Sequence, residues 1–385
     1  MIRRVALVLL IPAVVLSACN SSSTPSPAGA AGNGGGSDYL ATAKARMDAS
    51  LKGTNTMPDT TSRPASTGKK VVVISGGESA LSSSVPSDAA VEAAKAIGWD
   101  VSLYDQKLDP TNATALIRQA LASGADGIVL DATDCPFAKQ ALQEAKTKGV
   151  KVVPIYAFDC SDPIFGSGGE SLFSGIINYG KKASDIDAFT KSYGADQADA
   201  VIAATDGKAQ VVLFNDSEFT VLKYTAAGFK EELAKCGGCK IVADVDFKAA
   251  ELGPNLQQKA QSILLQHPEA NAVKIPYTAA ALLGISPAVV ASGRKDKLYV
   301  MGGEGFAPEL DLLRTGKGVN AVNIVASDWT GWAAVDTLNS LFNGQPPADS
   351  GLGWQLADKD HNLPASGPFV PAIDFKSAYK KAWGK

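Results

Sequence analysis

Glu78, Asp131, Asp134, Glu218 and Glu304 each stand just past a short β-branched run, where a predicted strand gives way to a loop or a helix start. Carboxylates in that position accept hydrogen bonds from hydroxyls or pair with an amine, and Lys223 nearby in sequence to Glu218 can take an anionic group. Ser79 and Ser83 belong to the glycine- and serine-rich stretch Gly76–Ser84, a hydrogen-bonding loop suited to a polar ligand. That loop lacks the Gly-Lys-Ser/Thr ending of a phosphate loop. Leu81 stands where a nucleophile elbow needs its last glycine. Tyr156, Phe158 and Tyr277 also follow strands, and Trp329 lies near a helix start one turn before Trp332; aromatic faces there can stack on a ring or wall a cleft. Nothing fixes the separation of Asp131 and Asp134 as a glycosidase pair would require. With two histidines, His267 and His361, in unrelated contexts and no activated nucleophile in view, these residues read as a binding set rather than a catalytic one, with no cofactor and no metal.

The elements that must position them alternate in type. From Lys70 onward, short runs such as Val71–Ile74, Val101–Tyr104, Gly127–Leu130 and Val152–Tyr156 alternate with helical stretches at 88–97, 111–122 and 137–148. Such alternation predicts βα units and a parallel sheet. A second series follows Asp187, with strands predicted at 211–214, 241–245, 272–275, 298–301 and 319–325 and a helix over 328–342. The two series rhyme: Leu213 stands 140 residues after Val73, and Val273 stands 145 after Ile128. Ser123–Val129 and His267–Val273 run parallel. The fold class is therefore α/β, one Rossmann-like lobe repeated. Ligands of open parallel sheets sit beyond the carboxyl ends of the strands, so two facing lobes make a cleft.

The chain has 385 residues, 45% of them apolar, and a net charge of −3; no basic stripe points to nucleic acid. Arg3 and Arg4 precede an apolar run, Val5–Leu16, that is too short to span a bilayer. The following Leu16-Ser17-Ala18-Cys19 resembles the lipobox of bacterial lipoproteins, which implies cleavage before Cys19 and acylation of its thiol. Ser21–Gly36 reads as a flexible tether. Four cysteines remain for an oxidising compartment. Cys236 and Cys239, in a Cys-Gly-Gly-Cys loop, are expected to pair structurally, against a redox dithiol or half a zinc site; Cys135 and Cys160 each follow a strand and can meet at one sheet edge.

From about Lys70 to Lys385 the chain resembles the type I periplasmic solute-binding proteins, on the branch with the ribose- and galactose-binding proteins. The landmarks are Ala90-(x)7-Gly98-Trp99, Ala125–Ile128, Gly228-Phe229, Pro268-(x)4-Val273, Val300–Gly305 and the 328–344 helix. The resemblance implies two lobes joined by three crossovers, placed near Thr190, Ala326 and Gly351, and delivery of solute to an ABC permease by a monomer held to the membrane through its lipid. It divides the chain into a signal peptide (1–18), a lipidated tether and irregular lead-in (19–68), lobe 1 (69–190 plus 327–350) and lobe 2 (191–326 plus 351–385). The chain departs from the sugar binders after its first and fourth strands, and carries Tyr277 and Glu304 where Asn and Asp are usual; a carboxylate is kept, the sugar clamp is not. The expected solute is small, polar and largely uncharged, a sugar, polyol or relative, with an amino-acid-like zwitterion as the rival. It is expected to touch Glu78, Ser79, Ser83, Asp134 and Phe158 from lobe 1, Lys223, Tyr277 and Glu304 from lobe 2, and Trp329 at a crossover. A ligand-sensing receptor for a signalling membrane protein is the alternative function, and an extracellular glycoside hydrolase a remote one.

Overall fold

The computed structural model describes residues 35–180, 183 and 185–385. The readings of the signal peptide, of Cys19 and of the tether to residue 34 lie outside the described residues. Lobe 1 is built on strands β1 (Lys70–Ser75), β2 (Asp100–Asp105), β3 (Gly127–Asp131) and β4 (Lys151–Ile155), all parallel, in the order β2-β1-β3-β4. Val71, Val72, Val73 and Ile74 are wholly buried, as a central strand covered on both faces must be. Helix α2 (Leu81–Ile97) covers one face; α3 (Ala113–Ala122) and α4 (Cys135–Thr147) cover the other. Helix α2 begins well before Asp88, so the serine run 82–84 is helical, and Pro86 lies inside the helix at the cost of one backbone bond.

Lobe 2 repeats the plan. Strands β5 (Gln210–Asn215), β6 (Lys240–Asp246), β7 (Ala272–Lys274), β8 (Tyr299–Met301) and β9 (Ala321–Ile324) run parallel, and β10 (Gln355–Asp358) closes the edge antiparallel to β9. The order β10-β9-β8-β7-β5-β6 contains the lobe 1 order in its equivalent strands. The repeat extends to single bonds. The Lys70 N–H donates to the Asp126 carboxylate at 2.8 Å, and the Gln210 N–H donates to the Asn271 side chain at 2.7 Å, each tying the start of the first strand to the start of the third. Helices α5 (Ile186–Ala204) and α6 (Thr220–Leu233) cross so closely on this lobe that a Cβ at Gly228 would lie 2.0 Å from the Lys191 carbonyl oxygen.

Tyr179 stacks on Phe189 of α5, and the chain passes into lobe 2 along that helix, in which Thr190 lies. It crosses back between β9 and α11 (Ser327–Phe342), and again through 349–354 into β10. Within 351–385, β10 pairs with β9 of lobe 2, whereas the last helix, α12 (Phe375–Trp383), packs on α11 and α2 of lobe 1. Its Phe375, Tyr379 and Trp383 recur every fourth residue and form one apolar stripe. That stripe stacks on α11: Trp383 on Trp332 with ring centroids 5.5 Å apart, and Phe375 on Trp329 at 4.7 Å.

The lead-in is a strap across both lobes. Helix α1 (Gly35–Lys52) lies on α5, with Ala43 fully buried and Arg46 paired with Asp199 and Glu232 of lobe 2. The chain then follows the third crossover, through Thr54 N–H to Trp354 O (2.8 Å), Thr56 N–H to Gly351 O (2.9 Å) and Asp59 N–H to Asp349 O (2.9 Å). Gly351 has φ 70°, and a Cβ there would sit 2.1 Å from the Thr56 carbonyl oxygen, so only glycine admits the strap. On lobe 1, Arg63 (3% exposed) clamps Asp336 (2% exposed) with Nε and Nη2, both at 3.2 Å.

Candidate cleft between the lobes

The carboxyl ends of the two sheets face each other, and the lobes bond across the gap. Phe158, past β4, lies against the Tyr224 ring of α6 with centroids 5.0 Å apart. The Tyr224 hydroxyl donates to Asp162 at 2.5 Å. Asp134, the residue before α4, accepts from the Phe158 N–H at 2.9 Å and from the Thr220 hydroxyl of lobe 2. Burial raises its pKa, while Thr220, the Phe158 N–H and Lys223 pull it back. This rim is pinned by the Cys135–Cys160 pair, whose Cα atoms are 5.0 Å apart and which ties the start of α4 to the Phe158 turn. Cys236 and Cys239 are likewise paired, at the loop after α6.

Inside the rim the lobe 1 wall is Asp131, at the end of β3 and wholly buried. One carboxylate oxygen accepts from the Gly76 N–H at 3.1 Å and from the Ser83 hydroxyl; the other, Oδ1, has no protein partner. The early start of α2 is what brings Ser83 to this carboxylate. A Cβ at Gly76 would come within 2.8 Å of both Ser83 Oγ and the Ala132 side chain, so glycine permits the approach. Burial pushes the Asp131 carboxyl up to about 7, against those hydrogen bonds and with Glu78 adding to the rise. Glu78, itself raised by burial, has a buried Oε1 without a protein partner. Ala132 (φ 51°) and Tyr156 (φ 49°), the residues after β3 and β4, both adopt left-handed backbone, which non-glycine residues rarely hold except where a site demands it. The Tyr156 hydroxyl reaches Thr330 at 3.2 Å and Ser327 at 3.4 Å. Burial, then Glu304 and Asp131, push its pKa up to about 12.

The lobe 2 wall is Glu304. It rides on a glycine loop held from behind by Glu309, a fully buried carboxylate that accepts from Gly303 N–H (2.6 Å), Gly305 N–H (2.8 Å) and the Thr278 hydroxyl (2.7 Å). Glu304 Oε2 takes the Thr278 N–H at 3.2 Å. Burial pushes its carboxyl up to about 8, opposed by Thr278 and reinforced by Glu309 and by Asp131 of the other lobe. Beside it, Tyr277 donates to Asp216 at 3.0 Å, and Asp216, also held by the Glu218 N–H, is pushed by burial to about 6.

Of the residues singled out from sequence, the two lobes place Glu78, Ser83, Asp134 and Phe158 on one side and Lys223, Tyr277 and Glu304 on the other. Asp134 and Phe158 spend their bonding on the rim, and Lys223 and Ser79 are exposed. Trp329 is elsewhere: 0% exposed in the lobe 1 core, its indole N–H bonded to Ser350 O at 2.9 Å and its ring stacked on Phe375. Its neighbours come from the tail of the chain, which local sequence around Trp329 does not announce. Asn215, Asp216 and Tyr224 were missed. The signal available was the polar residue ending β5, since Asn215 Oδ1, like Asp131 Oδ1, is buried without a protein partner.

Residues 72–346 match the family described as periplasmic binding protein domain. Among curated proteins, none matches this sequence. Solved structures share the fold at low identity. A binding protein from Agrobacterium vitis bound with α-D-tagatopyranose has TM-score 0.66 and 19% identity, over 79% of this chain and 100% of that one. A glucose-galactose binding protein from Geobacillus stearothermophilus has TM-score 0.65 and 20% identity, over 78% and 100%. The arabinose-transporter component from Shewanella sp. ANA-3, bound to L-arabinofuranose, has TM-score 0.63 and 19% identity, over 76% and 92%. Two repeated lobes, a cleft at the carboxyl ends of their strands and a family match over most of the chain lead to one conclusion: this is a member of the periplasmic binding protein family, an extracytoplasmic type I solute-binding protein.

Proposed function

We propose that the protein is a lipid-anchored receptor that captures a small polar solute, a sugar, polyol or close relative, between its lobes and hands it to an ABC permease. The observation that carries this reading is the approach of Asp131 and Glu304 from opposite lobes, close enough for one to act on the other, with Asp131 Oδ1 buried and bonded by no protein group. Buried polar groups without partners are costly, and a polar solute would supply the partners. The sugars bound by the fold neighbours support the solute class. Mass spectrometry of protein purified from its host without denaturation should find a small hydroxylated molecule at near-stoichiometric level. Added back to stripped protein, that molecule should raise the melting temperature in proportion to the logarithm of its concentration. Copurification of nothing, together with no shift from any sugar or polyol, would remove the reading.

The anchor rests on the run ending at Cys19 and on the uncharged tether after it. Cys19→Ala should move the protein from the membrane fraction to the medium or periplasm, because the lipid attachment is lost and no described helix is long and apolar enough to cross a membrane. Retention of the variant in washed membranes at the parental level would show that Cys19 is not the anchor.

A further inference from the structure

Resting on the reading of the cleft as the solute site, we infer that the captured solute carries a basic nitrogen: a protonated amine on a small hydroxylated skeleton, held between Asp131 of lobe 1 and Glu304 of lobe 2.

The first ground is the kind of bonding left open. Asp131 Oδ1, with no exposure, Glu78 Oε1 and Asn215 Oδ1 are buried acceptors without protein partners. The donors beside these acceptors are already committed, Ser83 to Asp131, Thr220 to Asp134, Tyr277 to Asp216, and Tyr156 within reach of Ser327 and Thr330, while Lys274 Nζ, a buried donor without a protein partner, acts on Glu309 rather than on the wall carboxylates. The cleft therefore asks its ligand for protons to donate. An ammonium supplies three donors and accepts nothing.

The second ground is charge. Glu78, Asp131, Asp134, Asp216 and Glu304 converge on the cleft, and Lys223, an exposed side chain at the rim, acts on Asp134. Lys274 is buried beneath the glycine loop and acts on Glu309. Every arginine among the described residues is engaged elsewhere: Arg46 with Glu232, Arg63 with Asp336, Arg118 with Glu144, Arg314 with Asp311, and Arg294 on the carbonyls of Leu264 and Ala270. A closed cleft with this surplus of acids keeps them ionised only against desolvation and mutual repulsion, and both wall carboxyls respond by holding their protons. Asp131 faces Glu78, Ser83 and Tyr156; Glu304 faces Tyr156, Tyr193, Tyr277, Thr278 and Glu309, so the surroundings contribute no compensating cation. A neutral hydroxyl bonds to such a carboxyl but does nothing to favour its ionised form. An ammonium balances it and lets the proton go.

The test is calorimetry on the whole mature protein at pH 7 with matched pairs: D-glucosamine and D-glucose, D-galactosamine and D-galactose, D-mannosamine and D-mannose. At least one amine should bind about tenfold to a hundredfold more tightly than its hydroxyl partner, the range expected for hydrogen bonds to a charged group. Its heat should depend on the ionisation enthalpy of the buffer, because protons leave Asp131 and Glu304 on binding. Asp131→Asn should erase the preference, and Glu304→Gln gives the same reading if the first variant does not fold. A neutral sugar that binds as tightly as its amine, with no proton released, overturns the inference while leaving the receptor role standing. Silence from every amine and every sugar overturns both.

Discussion

Replacing Arg63 with alanine should destabilise lobe 1 by about 3–5 kcal/mol, the cost of leaving one partner of a buried ion pair uncompensated. Asp336 sits in α11 with its carboxylate 2% exposed, bonded to Arg63 from one side and to the Trp383 indole N–H (2.8 Å) from the other. Burial raises its pKa and Arg63 is the chief force lowering it. Arg63 in turn spends Nη1 on Thr61 O (2.9 Å) and Nη2 on Asp59 O (2.7 Å), so its planar fork is fully used. Arg63→Lys keeps the charge but cannot reproduce that fork, and should recover only part of the loss. Urea unfolding followed by tryptophan fluorescence reads mainly lobe 1, because Trp99, Trp329, Trp332 and Trp383 belong to its core, while Trp354 lies at the crossover against α5. A midpoint for Arg63→Ala equal to that of the parent would show that the strap contributes nothing to the fold. Expressing the chain from residue 72, where the family match begins, should fail for the same reason.

The other large effect belongs to Trp332→Ala, expected at about 3–5 kcal/mol for a fully buried tryptophan. Trp332 is the hub on which α12 is stacked: Trp383 lies parallel at 5.5 Å, Tyr379 at 6.3 Å and Phe375 edge-on at 6.4 Å, and the ammonium groups of Lys376 and Lys380 each approach the ring to 5.7 Å. Removing the indole leaves a cavity under the whole helix that the rigid α2–α11 contact cannot close. Trp332→Phe should retain about half of the loss or more, since it refills volume but not the stack. Limited proteolysis should cut near α12 in Trp332→Ala before anywhere else in lobe 1. Resistance equal to the parent would mean that the tail is held by other contacts.

The βα alternation was legible because a buried parallel strand must be apolar along its length and each crossover helix has its own period, and both are local signals. Cys135 and Cys160 could be matched because each follows a strand, and Cys236 and Cys239 because they flank one Gly-Gly loop. Glu304 could be picked out because glycines on either side permit close approach. What local sequence could not reveal were contacts made by distant segments. Trp329 looked like a cleft residue because it follows a crossover, yet its space is filled by Phe375, Tyr379 and the Ser350 carbonyl. Ser83 read as loop because the serine run and Pro86 oppose a helix, and packing of α2 against α11 overrides that preference.

The rim contacts between the lobes carry a consequence for how tightly any solute is held. Tyr224 with Asp162, Phe158 with Tyr224 and Asp134 with Thr220 join the lobes without any help from a ligand. In a two-lobed protein that opens and closes, such contacts would favour the closed form, and apparent affinity scales with the population of the competent form. On the proposed reading, strength and choice of ligand fall to different residues: the rim would be tuned to the concentration at which a solute is met, for every solute alike, while Asp131 and Glu304 would decide which solute it is.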